Sequence, residues 1–368
     1  MKACVFFVSG HGFGHASREV EVINALAARS GGPRVIVRSD VAPDLLARTV
    51  RAPYELRPGA CDPGIVQSSS VSHDDTATIG AALAFYATFD DRIASEAAAL
   101  EHDDIGLVVG DIPPLAFEVA ARLRVPGLAI GNFSWTWIYE GNRQFMREAA
   151  ALVPRMRDAY AKATLALELP FAGGFDVFPR VRRVPLIARR PSRDRRSTRA
   201  HFGLPINRPV ALLSFGGYGL GALDLGRLDC FDTWTVATTD RSAPGAPARE
   251  HAVIISEEAF RETGFRYEDL VAAVDVVVTK PGYGIIAECI ASGTAMLYTS
   301  RGDFREYDLL VGQFPAYVKS LFISQEALFA GRWRSSLDAL VAQASPAMRM
   351  ATDGADVIAR LLREMMDA

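Results

Sequence analysis

Short apolar runs, each leading into a turn and then a helical pattern, recur along this chain and restrict its fold more than any other feature. Cys4–Val8 precedes a helix pattern from Ala16 to Ala28. Val35–Val37 and Ile105–Val109 follow, then a helix pattern over Leu115–Leu123 and the run Gly127–Ile130. The runs are apolar throughout rather than alternating, as strands covered on both faces are. Strands buried that way belong to parallel sheets with helices on either side, so the fold class is α/β. The pattern restarts at Val210–Phe215 and continues through Trp234–Thr238, Val253–Ile255, Val276–Val278 and Ala295–Tyr298.

Two such arrays in 368 residues suit two domains at about 150 residues each. The expected division is a Rossmann-like domain over 1–180, a linker over 181–208, and a second Rossmann-like domain over 209–368, with the two facing a central cleft. The stretch from Arg180 to Arg208 is dense in arginine and carries Pro185, Pro191 and Pro205. It reads as a solvated linker or as an anion-attracting rim beside a cleft. A last helix pattern over Ala355–Met366 has an apolar stripe at Val357, Ile358, Leu361, Leu362 and Met365. It is expected within the second domain, near the junction.

Composition narrows the partners. The formal net charge is −3, without the basic balance of a nucleic-acid binder. No uncharged apolar run reaches the roughly 18 residues of a membrane-spanning helix. Cys4, Cys61, Cys230 and Cys289 are scattered with no Cys-x-x-Cys pair. Reduced thiols, a cytoplasmic location and no metal site are therefore expected.

In open α/β sheets ligands bind beyond the carboxyl ends of the strands, so the loops after strands carry the functional reading. The first is Ser9-Gly10-His11-Gly12-Phe13-Gly14-His15-Ala16-Ser17-Arg18. Its glycines miss the dinucleotide-binding spacing, because His15 stands where the third glycine belongs. Two histidines at a strand-to-helix turn point to proton transfer, since imidazole titrates near neutral pH. His15 is the favoured base and His11 the alternative. Asp111 ends the run Val108-Val109-Gly110; a carboxylate there can orient the imidazole and stabilise its protonated form, or else cap the following helix.

In the second half, Gly216 and Gly217 follow the strand Val210–Phe215, and Lys280-Pro281-Gly282-Tyr283-Gly284 follows Val276–Val278. Glycines at a helix start expose N–H donors and the positive end of the helix dipole to a diphosphate, and Lys280 adds charge. Glu288, one to two turns further on, can accept hydroxyl hydrogen bonds from a ribose. Asp303, Arg305 and Glu306 supply donors and acceptors suited to sugar hydroxyls. Phe133, Trp135, Trp137 and Tyr139 either stack on an acceptor or fill the core. Asp62, His73 and Asp75 lie in a long polar stretch that reads as an acceptor-side loop.

These residues resemble the GT-B class of nucleotide-sugar glycosyltransferases. Gly14-His15 is similar to the class's N-terminal Gly-His element, and Asp111 to the Asp of the His–Asp dyad in inverting plant-type members. Gly282 through Glu288 and Asp303 to Tyr307 resemble the donor region of the peptidoglycan N-acetylglucosaminyltransferase, although Arg305-Glu306 stands where that enzyme has paired amides. More narrowly, Gly110-Asp111-Ile112-Pro113-Pro114, the segment Asn132 to Glu140, and Lys280-Pro281-Gly282-Tyr283-Gly284 resemble the glycosyltransferase-like half of plant L-arabinokinases and its stand-alone bacterial relatives.

The resemblance implies an inverting, metal-independent glycosyltransferase. His15 and Asp111 would be catalytic. Gly216, Gly217, Lys280, Gly282, Tyr283 and Gly284 would bind the donor diphosphate, Glu288 its ribose, and Asp303, Arg305 and Glu306 its sugar. His11, Phe13, Trp135 and Trp137 would lie on the acceptor side. The expected partners are a nucleotide sugar, most readily a UDP-sugar, acting as co-substrate with no further cofactor, and a small-molecule or glycan acceptor. The sequence ends at Ala368 without the kinase half of those proteins, so sugar kinase activity is not expected. A nucleotide-sugar 2-epimerase and a non-catalytic sugar-nucleotide binder stay open, as do the donor sugar, the acceptor and the oligomeric state.

Overall fold

A computed structural model describes residues 2–28, 31–69, 72–216, 223–240, 251–261 and 263–367, with the side chains of 12 and 13 left aside. The chain forms two compact units. The first comprises residues 1–67, 73–188 and 351–368; the second comprises 68–72 and 189–350.

The first unit is built on a seven-stranded sheet. Its strands are β1 (Ala3–Val8), β2 (Arg34–Ser39), β3 (Glu55–Pro58), β6 (Ile105–Asp111), β7 (Gly127–Phe133), β8 (Leu165–Gly173) and β9 (Val181–Arg183), with the short pair β4 (Gln67–Ser69) and β5 (Ser72–His73) beside it in sequence. The order is β3-β2-β1-β6-β7-β8-β9, and every pairing is parallel. β1 is buried at every residue, and its alternation serves two cores. Cys4, Phe6 and Val8 face Val20, Ile23 and Leu26 of the helix Gly12–Ala27. Ala3, Val5 and Phe7 face Phe85, Phe89 and Leu115 on the other side. This double burial explains why the strand lacks polar alternation.

The last helix, Gly354–Asp367, belongs to the first unit and not to the second. Ile358, Leu361 and Leu362 of its apolar stripe lie in the same core as Val20 and Leu26. The backbone enters this helix by pairing with the segment before residue 189: Leu186 donates to Ala351 at 3.1 Å and Gly354 to Leu186 at 3.1 Å. A stripe of leucines shows that a helix is amphipathic but does not name the surface that receives it.

The second unit carries β10 (Val210–Ser214), β11 (Thr235–Thr238), β12 (Ala252–Ile254), β13 (Val276–Thr279), β14 (Ala295–Tyr298) and β15 (Ser320–Phe322) in the order β12-β11-β10-β13-β14-β15. All are parallel. The arginine-rich stretch is only in part the solvated linker expected: Arg182, Arg183, Arg190, Arg193 and Arg196 are exposed, whereas Arg199 and Arg208 are built into the second unit. Arg199 is 3% exposed and donates to the carbonyls of Ala273, Pro205 and Arg208 and to the Asp275 carboxylate. Arg208 donates to the carbonyls of Phe231 and Trp234. These guanidiniums satisfy carbonyls at helix and strand ends that the backbone cannot pair by itself.

Each sheet reverses its strand order once in the middle, between β1 and β6 and between β10 and β13. The crevice at such a switch point is where open α/β sheets bind ligands. The loops that leave these four strands are the ones the sequence singles out.

Candidate active site

The helix after β1 begins at Gly12, four residues earlier than the pattern suggested, with His11 at its N-cap. The glycines are tolerated in its first turn, and His15 therefore projects from a helix rather than a loop. Its Nδ1 lies 2.8 Å from Asp111 Oδ2 at the end of β6, and the Asp111 side chain is fully buried. Asp111 does not cap the next helix; Pro113 takes that position. Burial alone would push the Asp111 carboxyl up, but the charges of Arg18 and His15 outweigh it and hold it below the usual carboxylate range. An ionised Asp111 only accepts, so Nδ1 carries the hydrogen and Nε2 is left as the basic nitrogen.

Two residues that the sequence reading did not assign complete this group. Arg18, one turn beyond His15, donates through Nη2 to Asp111 Oδ1 and through Nη1 to Asn132 Oδ1 at 2.6 Å. Asn132, from β7, turns its amide nitrogen to the carbonyl of Pro170 at 2.7 Å. The spacing of His15 and Arg18 on one helix face was visible; that both reach the same carboxylate was not.

The turn that carries Asp111 is itself forced. Ile112 has φ +61°, a left-handed conformation that a β-branched residue rarely adopts and that costs about 1–3 kcal/mol. The Tyr160 hydroxyl donates to its carbonyl at 2.8 Å, and the hydroxyl oxygen of Tyr160 accepts the backbone N–H of Trp135 at 3.0 Å. The bend aims the carboxylate and is fixed from two neighbouring elements.

His11 meets a second carboxylate. Its Nε2 lies 3.4 Å from Asp62, which accepts from Ser9 at 3.0 Å and from Trp135 Nε1 at 2.9 Å. Burial pushes the Asp62 carboxyl up, against the opposing influence of His11 and Trp135. Trp135 is 2% exposed, so it is not an open stacking surface. It supports Asp62 and lies against both imidazoles, with ring centroids 6.0 Å from His11 and 6.1 Å from His15. Trp137 is half-buried over Gly173 and Gly174, where a Cβ on Gly174 would come within 2.1 Å of it. The side chain of Phe13 lies outside the described residues.

In the second unit Gly216 has φ +72°, the left-handed region that favours glycine, and Gly217 lies outside the described residues. Beyond β13, Gly282 is the N-cap of the helix Tyr283–Ser292, and no side chain caps it. Tyr283 and Gly284 stand in the first turn. Lys280, just before, is pushed down to about 7 by burial and then by the charge of Arg301, against Glu306. Glu306 is buried and accepts from Arg301 at 3.1 Å, whereas Asp303 and Arg305 are exposed. Of the three donor-sugar candidates only Glu306 turns inward, because its neighbours flank the start of the helix Glu306–Gln313.

Glu288 is 4% exposed and already engaged: Oε1 accepts from Arg189 Nε at 2.7 Å and from Arg189 Nη2. Arg189 also approaches Glu268 at 3.6 Å and lies over the Tyr267 ring. A fixed guanidinium holds a buried carboxylate in one orientation.

No protein-family model matches the chain. An L-arabinokinase of Arabidopsis thaliana is 25% identical over 366 residues, 98% of this chain and 34% of that protein. The chain thus spans about a third of the length of the curated relative it matches. Among solved structures, the glycotransferase of kitacinnamycin superposes with a TM-score of 0.62 at 20% identity, covering 100% of both chains. CalG4, the calicheamicin glycosyltransferase, gives 0.60 at 16% identity over 100% of this chain and 94% of its own. UGT2 of Phytolacca americana, complexed with UDP-2-fluoroglucose and pterostilbene, gives 0.62 at 14% identity with the same coverage. Two all-parallel sheets, each with a single switch point and matched from end to end by these structures, identify the architecture of this chain as the GT-B fold.

Proposed function

We propose that this chain is a glycosyltransferase that moves a sugar from a nucleoside diphosphate sugar, most readily a UDP-sugar, to a hydroxyl of a small molecule or glycan. The observation that carries the reading is the His15–Asp111 hydrogen bond of 2.8 Å beside the switch point of the first sheet. Solved structures of the same fold include a complex with a UDP-sugar, which supports the choice of donor.

In this reading Nε2 of His15 takes the proton of the acceptor hydroxyl as its oxygen attacks the anomeric carbon. Attack opposite the leaving group inverts that centre. Asp111 stabilises the imidazolium that forms. The diphosphate leaves toward Lys280 and the N–H groups at the start of Tyr283–Ser292, whose charge and dipole suit an anion without a metal ion. Glu288, oriented by Arg189, accepts hydrogen bonds from the ribose hydroxyls. Glu306 and the exposed Asp303 and Arg305 face the transferred sugar, and His11, Trp135 and Trp137 border the acceptor.

A thermal-shift screen of nucleotides and nucleotide sugars, followed by incubation of the best binder with and without candidate acceptors, tests this. Release of nucleoside diphosphate, accelerated by an acceptor and abolished in His15→Ala, is expected. A sugar altered at C2 without diphosphate release identifies an epimerase instead, and binding with neither reaction identifies a sugar-nucleotide sensor.

A further inference from the structure

We propose that Arg18 is a positioning residue that keeps the His15–Asp111 pair in its proton-accepting state; this rests on the reading of His15 as the base. A buried carboxylate beside an imidazole has an inherent drawback as a base. The low-dielectric surroundings favour one extra proton on the pair, held on the ring or on the carboxyl. Either way the pair is already occupied when the acceptor arrives.

Arg18 opposes that proton. Its guanidinium is charged at any working pH, is bonded to Asp111 Oδ1, and lies 3.3 Å from His15 Nδ1. Nδ1 and the guanidinium are both donors, so this approach is a contact between like partners and not a hydrogen bond. The orientation is built in: Asn132 accepts Nη1 at 2.6 Å and is itself locked by Pro170.

The charge of Arg18 is not spent elsewhere. The nearest competitor is Glu19, whose Oε1 lies 3.8 Å from Arg18 Nε. Neither Glu19 oxygen nor that Nε makes a hydrogen bond among the described residues, and Glu19 is 1% exposed. Burial and then the charge of Asp111 push its carboxyl well up, against the pull of Arg18, so Glu19 competes weakly with Asp111 for the guanidinium. Among the described residues of the first unit, the other charged or titratable groups facing His15 are Asp62, from the loop after β3, and His11 at the head of the helix. β7 contributes the uncharged Asn132 and Phe133.

The experiment follows the titration of the histidine rings by NMR in the intact 368-residue chain, wild type against Arg18→Met and Arg18→Lys, alongside the pH profile of kcat/KM. In Arg18→Met the pair takes up its proton about one pH unit higher, a tenfold loss of rate at a fixed pH on the acid limb. Arg18→Lys keeps the charge, so it keeps the wild-type limb while kcat falls through the lost Asn132 contact. Should Arg18→Met fail to fold, Arg18→Gln carries the same comparison. An unchanged titration in the uncharged variant, with only a lower melting temperature or kcat, overturns the proposal. If the wild type transfers no sugar, the reading of His15 as base falls, and the ring titration still decides the role of Arg18.

Discussion

In the first unit Asp111 meets an imidazole and a guanidinium within hydrogen-bonding reach, whereas in the second Lys280 shares its surroundings with a like charge, Arg301, and Glu306 is committed to Arg301. Both groups stand at the same topological place, beyond the central strands of a parallel sheet. One is balanced: a carboxylate is held between a cation and an imidazole. The other has more positive charge than its carboxylate offsets, in surroundings that penalise it. Balanced charge suits proton transfer, and a surplus of desolvated cations suits the capture of an anion. Two copies of one architecture can thus divide a reaction between chemistry and binding.

That division is open to direct attack. The largest effect expected is on turnover: His15→Ala lowers kcat by ~10²–10⁴-fold, the usual contribution of a general base, while the thermal shift given by a saturating nucleotide is retained. Loss of that shift would mean that the two units do not separate the tasks. Next comes Glu288→Ala. Hydrogen bonds to a charged group contribute roughly 1.5–3 kcal/mol, so nucleotide binding weakens by ~10–150-fold, as calorimetry would read. Arg189→Met, which removes the guanidinium that orients the same carboxylate, moves binding in the same direction. Tight binding in both variants would remove ribose from the account of this helix.

A third prediction concerns Lys280. Because burial and the charge of Arg301 push Lys280 down to about 7, an anion that prefers the charged form must restore its proton at higher pH. The affinity for a nucleoside diphosphate therefore drops by up to about tenfold per pH unit above that point. Lys280→Met binds more weakly below it and lacks this slope. Parallel pH dependences in the two proteins would show that Lys280 does not meet the diphosphate. The smallest effect is on stability. Glu19 titrates higher folded than unfolded, so the folded state holds the extra proton and stability declines as pH rises above the ordinary carboxylate range. Glu19→Gln mimics the protonated form and removes that decline. Its melting temperature exceeds the wild type's by ~2 °C or more at about pH 8 and by less at about pH 5. A constant difference would show that Glu19 is ionised throughout.

The parts of this molecule that were legible in the sequence are those whose physics is local. β1, β6, β7, β10 and β13 announce themselves because both faces are buried. β3 and β9 do not: Val181–Arg183 is exposed along its length, and Glu55–Pro58 carries charge as edge strands do. His15 and Asp111 were readable as an imidazole and a carboxylate at neighbouring strand ends. Arg18 was hidden although it stands three residues from His15, because its partners lie 93 and 114 positions away. Glu288 was readable as an acceptor, but neither its burial nor its bond to Arg189, 99 positions earlier, had a signal near it in sequence. Asp62 sat in a polar stretch without periodicity, so its hydrogen bond to Trp135 Nε1 had no local signature.

The return of the chain to the first unit at residue 351 makes the segment 189–350 an insertion within the first unit. During synthesis, residues 189–350 can complete their own sheet while the first sheet still lacks the helix that covers Val20, Ile23 and Leu26. Until Ile358 and Leu362 emerge, that apolar face is open to solvent and to chaperones, although the residues that form it were among the earliest made. Clipping the last turns of the chain would then damage the histidine-bearing helix Gly12–Ala27 at the opposite end of the sequence, and leave the unit that is nearer in sequence largely intact.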